Sequence, residues 1–417
     1  MKKLAGCFEI KGKLEAPPSK SMMLRAIALS LLTTGRSEIL NPSTCQDSLA
    51  ALSAAKSLGA SVSYKKDRRI VIAREREPEC RVLDCGESGL ALRMFAPIAS
   101  IWAGEFILTG SGSLMRRPVV MMEKPFLDLG VSFSSQNGFP PIQIQGPLQG
   151  GAAVVDGSVS SQFLTGLLIA LPFMERDSAL KINNLKSRPY LHMTMQFLEK
   201  HGLKFLNADD REIFIKGNQE CHPFTYRVEG DWSAAAFLLV AGALGGEVVV
   251  TGLDLRSLQA DRKILQALEK SGAEVIAGNS RVKVRKKSLE AFTFDCTDCP
   301  DLFPPLAALA CQCRGTSRIL GVERLKYKES NRAKSLLAEF TRLGADIRLK
   351  RDRLEIEGSG LKGGQVKAHN DHRIAMALAL ASINAAGDIV IAGSKSVAKS
   401  YPDFFGDFAA IGGRIYE

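Results

Sequence analysis

A glycine recurs along this chain at nearly constant intervals, each time in the same local pattern. An amphipathic segment typical of a helix precedes it, and alternating apolar residues typical of a strand follow, as in "ALSAAKSLGASVSY" and "LLAEFTRLGADIRL". The copies are Gly59, Gly130, Gly202, Gly272, Gly344 and Gly412, separated by 68 to 72 residues. Glycine suits this position because a helix often ends with a residue in the left-handed conformation.

Six such copies predict six supersecondary units of about 70 residues each. Helix and strand signals alternate within every unit, which predicts an α/β or α+β fold. A chain of 417 residues suggests two domains or one large one, and six units of this size fall naturally into two domains of three.

The segments that precede these helices are unusually rich in charged and hydroxyl side chains. They read "NPSTCQDS", "LMRRPVV", "KSRPYLHM", "SLQADRK", "YKESNRA" and "AKSYPDFF". Any one of them is ordinarily a capping sequence or a solvated helix start. If the helices run parallel, however, their positive ends converge, and six such segments together predict a focus that attracts anions.

The segment "APPSKSMMLR" near the start of the chain points the same way. Lys20 and Arg25 flank what should be the first turn of a helix, where the free N–H groups already carry partial positive charge. Two cations in that place indicate that an anion binds between them.

The net charge of +11 also indicates an anionic partner. Nucleic acid is the less favoured candidate, because the basic runs "KKDRR" and "RVKVRKK" are short and aromatic residues make up only 7%. No apolar run has the length of a membrane span, and the first residues lack the apolar core of a signal peptide. We therefore expect a cytoplasmic protein that acts on an acidic small molecule, with no nucleic acid or membrane partner.

Nine cysteines are scattered through the chain, and we expect them to be reduced thiols. Cys296, Cys299, Cys311 and Cys313 resemble a zinc site in outline. The apolar "PDLFPPLAALA" between the pairs instead indicates the start of a buried helix, and an i, i+2 pair on a helix points to different faces. Zinc is thus the less favoured alternative at these cysteines.

Eight segments hold more functional side chains than a core or a loop needs: "PSKSMMLR", "CGESGLALR", "GSLMRRP", "DGSVSSQFL", "DCPDLFPP", "YKESNR", "HNDHR" and "AKSYPDFF". Each is modest by itself. Together, in this order and over almost the whole chain, they resemble the 5-enolpyruvylshikimate-3-phosphate synthase family of enolpyruvyl transferases.

The resemblance implies an activity and a fold. The family transfers the enolpyruvyl group of phosphoenolpyruvate to the 5-hydroxyl of shikimate 3-phosphate, through a tetrahedral intermediate that loses phosphate, on the pathway to chorismate and aromatic amino acids. Its fold has two similar domains, each of three βαβαββ repeats around parallel buried helices, with the active site in the interdomain cleft. Domain I would comprise residues 1–18 and 228–417 and domain II residues 19–227, with the first strand joining the C-terminal half. The family's chemistry requires no metal and no organic cofactor, and we expect a monomer.

The resemblance also implies roles for single residues. Asp301 would take the proton from the 5-hydroxyl, and Glu329, helped by Lys20, would protonate the methylene of phosphoenolpyruvate. Which group is the true base, Asp301 or Lys20, stays open. The expected substrate-binding residues are Lys20, Ser21, Arg25, Gly89, Arg117, Ser160, Ser161, Gln162, Ser187, Asp301, Lys328, Arg332, Arg373 and Lys399. Tyr190 and Asp47 are weaker candidates.

Some positions depart from the family pattern. Glu87 stands where asparagine is often found, and it would repel the carboxylate of phosphoenolpyruvate unless it is paired, for example with Arg93. A sister family uses the same donor with UDP-N-acetylglucosamine, but it usually carries a reactive cysteine before its Arg-Pro pair. The loop "GSGSLMRRP" has none, which favours shikimate 3-phosphate as the acceptor.

Overall fold

The computed structural model describes residues 1–6, 8–78 and 80–416, which fall into two compact units. Unit 1 comprises Met1–Pro17 and Glu229–Glu417, and unit 2 comprises Pro18–Val228. Each unit contains three copies of the same arrangement of helices and strands, so that the chain has six in total among its described residues.

The helices, numbered in chain order, are α1 (Lys20–Leu32), α2 (Gln46–Ser57), α3 (Gly89–Ala99), α4 (Glu123–Asp128), α5 (Gln162–Ala170), α6 (Arg188–Lys200), α7 (Trp232–Gly245), α8 (Ile264–Lys270), α9 (Phe303–Ala310), α10 (Arg332–Arg342), α11 (His372–Ala381) and α12 (Phe404–Ala410). The strands are β1 (Lys2–Leu4), β2 (Ile10–Glu15), β3 (Arg36–Leu40), β4 (Ala60–Lys65), β5 (Arg69–Arg74), β6 (Val82–Asp84), β7 (Gly104–Thr109), β8 (Ser132–Gln136), β9 (Phe139–Gly146), β10 (Ala152–Asp156), β11 (Ser178–Asn183), β12 (Phe205–Ala208), β13 (Glu212–Ile215), β14 (Thr225–Arg227), β15 (Gly246–Thr251), β16 (Glu274–Gly278), β17 (Arg281–Arg285), β18 (Thr293–Asp295), β19 (Thr316–Leu320), β20 (Asp346–Leu349), β21 (Arg353–Glu357), β22 (Gly364–Lys367), β23 (Ile389–Ala392) and β24 (Ile415–Tyr416).

Every described strand belongs to one of six four-stranded sheets with the same topology. In each sheet the first two strands are parallel, and the third and fourth continue it antiparallel, as in the order β18-β19-β21-β20. Parallel neighbours require a crossover, and a helix supplies it. Six sheets with one topology confirm the predicted α/β class and the six repeats.

The start of the chain completes two sheets of unit 1. Strand β1 lies between β23 and β24, and β2 pairs in parallel with β15. In unit 2 the last strand, β14, pairs in parallel with the first, β3. The first two strands therefore belong to sheets whose other strands come from the C-terminal half of the chain.

The six predicted glycines all follow the second helix of a repeat, and all have the left-handed conformation, with φ between 78° and 109°. Gly59, for example, donates its amide to the carbonyl of Lys56 at the end of α2, with φ of 92°. A side chain is strained at this φ, which explains why glycine recurs there.

The first helix of each repeat is buried and the second is amphipathic. The buried set is α1, α3 and α5 in unit 2, and α7, α9 and α11 in unit 1. These helices are apolar on almost every side, as in "WSAAAFLLVAGALG", and a helix of that kind packs inside a protein. In unit 1 the three contact one another, and in unit 2 α3 contacts both α1 and α5.

A search of the helices among the described residues found none with the length and apolar character to cross a membrane.

Candidate active site

Three cations surround the carboxylate of Asp301 in unit 1. Arg332 Nη1 lies 2.7 Å from its Oδ1, Lys328 Nζ lies 3.3 Å from the same oxygen, and Arg373 Nη2 lies 3.2 Å from Oδ2. Asp301 stands in a short 3-10 helix, Pro300–Leu302, directly before the buried helix α9. The predicted residues Asp301, Lys328, Arg332 and Arg373 therefore form one cluster.

The cluster sets the charge state of its members. Burial would raise the pKa of Asp301, but the charges of Arg373, Lys328 and Arg332 outweigh it and hold this pKa well below its ordinary range. Burial lowers the pKa of Lys328, although the charge of Asp301 opposes this shift. In this state Asp301 is firmly ionised and is a weak base.

Arg332 is the centre of the cluster and is completely buried. Besides Asp301, it donates from Nη2 to Glu329 Oε2 at 2.5 Å and from Nε to Asp371 Oδ2 at 3.0 Å. Burial would lower its pKa, but the charges of Asp371, Glu329 and Asp301 raise it. Both predicted proton-transfer carboxylates thus share one guanidinium, which fixes their positions relative to each other.

The start of α11 brings in the remaining cations of unit 1. Asp371 caps this helix and accepts from the amide of Arg373 at 3.0 Å. His369 and Asn370, just before it, have left-handed φ of 53° and 55°, so that the chain turns sharply into the helix. Lys399 is buried and donates to the carbonyl of Asn370 at 2.6 Å, which places it beside this turn.

Asp261 belongs with this cluster, although the sequence did not single it out. It is buried, accepts a hydrogen bond from the hydroxyl of Ser233, and interacts electrostatically with Asp301 and Arg373. Burial, with the charge of Asp301, raises the pKa of Asp261 to about 7. The available signal was positional: in "SLQADRK", Asp261 precedes α8 as Glu329 precedes α10.

In unit 2, the predicted residues Lys20 and Ser21 form the first turn of α1. Ser19 caps this helix and accepts from the amide of Met22. Lys20 Nζ lies 2.8 Å from Asp47 Oδ2, and Asp47 is in the first turn of α2. The weaker candidate Asp47 is therefore a direct partner of Lys20.

Arg25 lies inside unit 2 and is almost completely buried. Its guanidinium donates to Thr194 Oγ1 at 3.0 Å, Ser21 O at 2.9 Å, Thr165 Oγ1 at 3.4 Å and Tyr190 O at 3.2 Å. Burial lowers the pKa of Arg25 to about 10, which leaves it charged at neutral pH. Three of these bonds, to Thr165 in α5 and to Thr194 and Tyr190 in α6, tie α1 to its neighbours, so Arg25 orders this part of the unit.

Gly89 and Arg117 meet at the start of α3. Gly89 is the first residue of this helix, directly after the capping residue Ser88. A Cβ on Gly89 would collide with Nη1 of Arg117, so a side chain there would displace the guanidinium from the helix end. Arg93, one turn further on, donates to Gln162 Oε1 at 2.8 Å and thereby holds the first residue of α5.

The predicted serines lie at the starts of α5 and α6. Ser160 accepts from the amide of Gln162 at 3.2 Å, and Ser161 caps α5 without a side-chain hydrogen bond to it. Ser187 caps α6 with a left-handed φ of 58°, which is strained for a residue with a side chain. Strain of this kind concentrates at functional sites. Tyr190 follows in the first turn of α6.

Glu87 accepts from the backbone amide of Ser113 at 2.8 Å. Arg93, the partner suggested by the sequence, directs Nη2 to the carbonyl of Pro118 at 2.9 Å. The carboxylate of Glu87 therefore has a partner in the loop that leads to Arg117.

The four clustered cysteines are all buried in unit 1, and α9 occupies the segment between the pairs, as predicted. Burial raises the pKa of the Cys296 and Cys311 thiols, so that both stay protonated at neutral pH. Among the described residues, no group of three or more His, Cys, Asp or Glu side chains is placed to hold a metal ion.

The two sets of residues suit different chemistry. In unit 2, neutral serine caps, glycine and cations stand at helix starts, an arrangement that binds phosphates and carboxylates. In unit 1, two carboxylates are held by cations in a buried setting, an arrangement suited to proton transfer and to stabilising negative charge.

Comparison with known proteins identifies the family. Residues 5–408 match the family model described as EPSP synthase (3-phosphoshikimate 1-carboxyvinyltransferase). A 3-phosphoshikimate 1-carboxyvinyltransferase of Clostridium novyi is 40% identical, over 98% of this chain and 97% of that protein, and one of Clostridium perfringens is 39% identical over 97% of each. Two structures of EPSP synthase from Acinetobacter baumannii have TM-scores of 0.84 and 0.83 over the whole of this chain and 99% and 100% of theirs, at 24% and 23% identity. The chain therefore belongs to the EPSP synthase (3-phosphoshikimate 1-carboxyvinyltransferase) family.

Proposed function

We propose that this protein transfers the enolpyruvyl group of phosphoenolpyruvate to the 5-hydroxyl of shikimate 3-phosphate, a step towards chorismate. The hydroxyl oxygen bonds to C2 of the donor while C3 gains a proton. The tetrahedral intermediate then releases inorganic phosphate, and C3 loses a proton to restore the double bond. The observation that carries the proposal is the cluster in which Arg332 joins Asp301 to Glu329, because addition and elimination need two proton-transfer groups.

The residues of unit 2 are proposed to bind the anionic groups of both substrates. Ser160, Ser161 and Ser187 would hold shikimate 3-phosphate at the starts of α5 and α6. Donor phosphate would lie near Arg117 and the amide end of α3 at Gly89, since free amides and a guanidinium both favour phosphate. Lys20, Ser21, Arg25 and Gln162 complete the proposed set, with Arg25 contributing through its charge and the order it gives α6.

The residues of unit 1 are proposed to move protons and to hold the donor. Asp301 would accept the proton of the 5-hydroxyl, and Glu329 would donate to C3. Arg332, Arg373 and Lys399 would bind the donor phosphate and carboxylate, and Lys328 would contact shikimate 3-phosphate. Support comes from burial: Arg332, Arg373 and Lys399 are almost fully buried cations, a setting in which charge–charge interactions are strong.

The cations that contact Asp301 are also those proposed to bind the donor, so donor binding would change the pKa of this base. While Arg332 and Arg373 contact Asp301, its pKa stays far too low for a base. A donor that carries a phosphate and a carboxylate competes for both guanidinium groups. Binding of phosphoenolpyruvate would therefore raise the pKa of Asp301, so that the base becomes effective when its substrate is present.

The test is an assay of phosphate release with both substrates, together with detection of the product by mass spectrometry. We expect release only when phosphoenolpyruvate and shikimate 3-phosphate are both present, with a product that contains both carbon skeletons. UDP-N-acetylglucosamine serves as the control acceptor and should give none. No release by folded protein with shikimate 3-phosphate would overturn the proposal. Two finer proposals remain: a monomer, which light scattering tests, and a cytoplasmic location, which rests on the first residues lacking the apolar core of a signal peptide.

A further inference from the structure

Glu87 ties the loop that carries Arg117 to the start of α3. Its Oε2 accepts from the amide of Ser113 at 2.8 Å. Ser113 is buried and belongs to a five-residue 3-10 helix, Gly112–Arg116, whose C-terminal cap is Arg117. The bond needs an acceptor oxygen on a side chain long enough to reach this amide.

The surrounding backbone is shaped to admit this carboxylate. Gly112 has a left-handed φ of 55°, and a Cβ on it would collide with the carboxylate of Glu87. Beside it, the amide of Ser111 donates to the carbonyl of Gly86 at 2.8 Å. A side chain at residue 112 is therefore disfavoured twice, by conformation and by the approach of Glu87.

The far end of the same loop is also fastened to α3. Arg93 donates from Nη2 to the carbonyl of Pro118 at 2.9 Å, one residue after Arg117. The loop is thus fastened on both sides of Arg117: at Ser113, which bonds to Glu87, and at Pro118, which bonds to Arg93. The guanidinium of Arg117 lies against Gly89, the first residue of α3.

We propose that Glu87 is a positioning residue for the donor phosphate: through the Ser113 amide it fixes the short helix that presents Arg117 at the start of α3. The inference rests on the proposed function, in which Arg117 binds phosphoenolpyruvate. It also accounts for an acid close to an anion site, since the negative charge of Glu87 is committed to the loop. This role depends more on a side chain long enough to bring an oxygen to the Ser113 amide than on the charge of that side chain.

Four substitutions separate the effect of side-chain length at residue 87 from the effect of its negative charge. Glu87→Gln keeps an oxygen at the same distance but removes the charge, and Glu87→Asp keeps the charge but is too short. Glu87→Ala removes both, and Glu105→Ala is the matched control, since Glu105 is an exposed glutamate on neighbouring β7. The measurements are the KM for each substrate, kcat and the melting temperature.

The proposal predicts that Glu87→Ala and Glu87→Asp raise the KM for phosphoenolpyruvate about tenfold, with the KM for shikimate 3-phosphate within about twofold of wild type. Glu87→Gln and Glu105→Ala should stay near wild type. A lower donor KM in Glu87→Gln with an unchanged one in Glu87→Asp would overturn the inference, because the charge would then act directly on the donor. Equal changes in both KM values, or unchanged values in all four variants, would overturn it as well. Turnover by the wild-type protein tests the proposed function separately. If the wild type shows no turnover, the same four variants are compared by the dissociation constant of phosphoenolpyruvate, measured by calorimetry.

Discussion

The two units have the same repeat but differ in what stands at the starts of their buried helices. In unit 2 these helices begin after Ser19, Ser88 and Ser161, which are neutral. In unit 1, Asp231 and Asp371 cap α7 and α11, and Asp301 stands two residues before α9. One topology therefore presents three serines in one unit and three carboxylates in the other.

The change from serine to aspartate at these helix starts shows how the same fold can support two kinds of chemistry. A neutral cap leaves the positive end of a helix available to an external anion, whereas an aspartate satisfies that end from within the chain. The carboxylates of unit 1 then need buried cations, and Arg332 and Arg373 supply them. We expect the helix starts of unit 2 to bind anions, and the carboxylates of unit 1 to move protons while its buried cations hold the donor.

The largest effect is expected at Asp301. Asp301→Asn should lower kcat by about 100- to 10,000-fold, because a general base is lost. The same change should tighten the binding of phosphoenolpyruvate, since Arg332 and Arg373 lose the carboxylate that competes for them. The measurements are kcat from phosphate release and the donor dissociation constant from calorimetry.

The control for Asp301 is Asp295→Asn, in an exposed aspartate of β18 that accepts from the amide of Thr297 at 2.8 Å. This variant should match the wild type in both measurements. Weaker donor binding in Asp301→Asn would show that the cations depend on the carboxylate for their position and do not compete for it.

An intermediate effect is expected when a carboxylate is moved into unit 2. Ser88→Asp places an acid at the start of α3, beside Gly89 and Arg117, and should raise the KM for phosphoenolpyruvate by about tenfold. Ser88→Asn is the matched control, because asparagine caps helices equally well without charge. Equal KM values for phosphoenolpyruvate in the two variants would show that a neutral cap is not needed for anion binding at this helix start.

The smallest effect concerns stability and Asp261. Its pKa rises from an ordinary 3.8 to about 7, mainly through burial. Between these values the folded protein keeps a proton that the unfolded chain has released, so the stabilising contribution of the protonated group is lost as the pH rises through 7. Asp261→Asn has no proton to lose.

Its melting temperature relative to wild type should therefore increase from pH 5 to pH 8. The expected change is roughly 2–4 °C for each kcal/mol in a unit of this size. Differential scanning fluorimetry across this range measures it. A difference that stays constant with pH would mean that Asp261 is ionised throughout.

The fold could be predicted from the sequence because its repeat is marked by a local requirement. Each capping glycine adopts a left-handed conformation that other residues avoid. The six glycines therefore mark six helix ends through a local signal that does not depend on distant parts of the chain. The pairing of β1 with β23 joins Lys2 to Ile391, and no local pattern carries such a contact. That feature was expected only through the resemblance.

The candidate site was predictable in part. Asp301, Glu329 and Arg332 stand in short motifs, and the structure brings them together. Arg25 looked like a cation at a helix start, yet its side chain is buried by Thr165 and Thr194, which come more than 130 residues later. The raised pKa of Asp261 likewise depends on burial and on neighbours distant in sequence.

The central claim is that an acid of unit 1 supplies chemistry and not binding, and Glu329→Gln tests it most directly. Glutamine preserves the shape of the side chain beside Arg332 but cannot donate the proton that C3 needs. With turnover measured at saturating substrates and the dissociation constant of shikimate 3-phosphate measured by calorimetry, we expect kcat to fall at least about 100-fold while the dissociation constant stays within about threefold of wild type. Turnover near the wild-type rate, or a loss of binding that accounts for the lost turnover, would contradict the account.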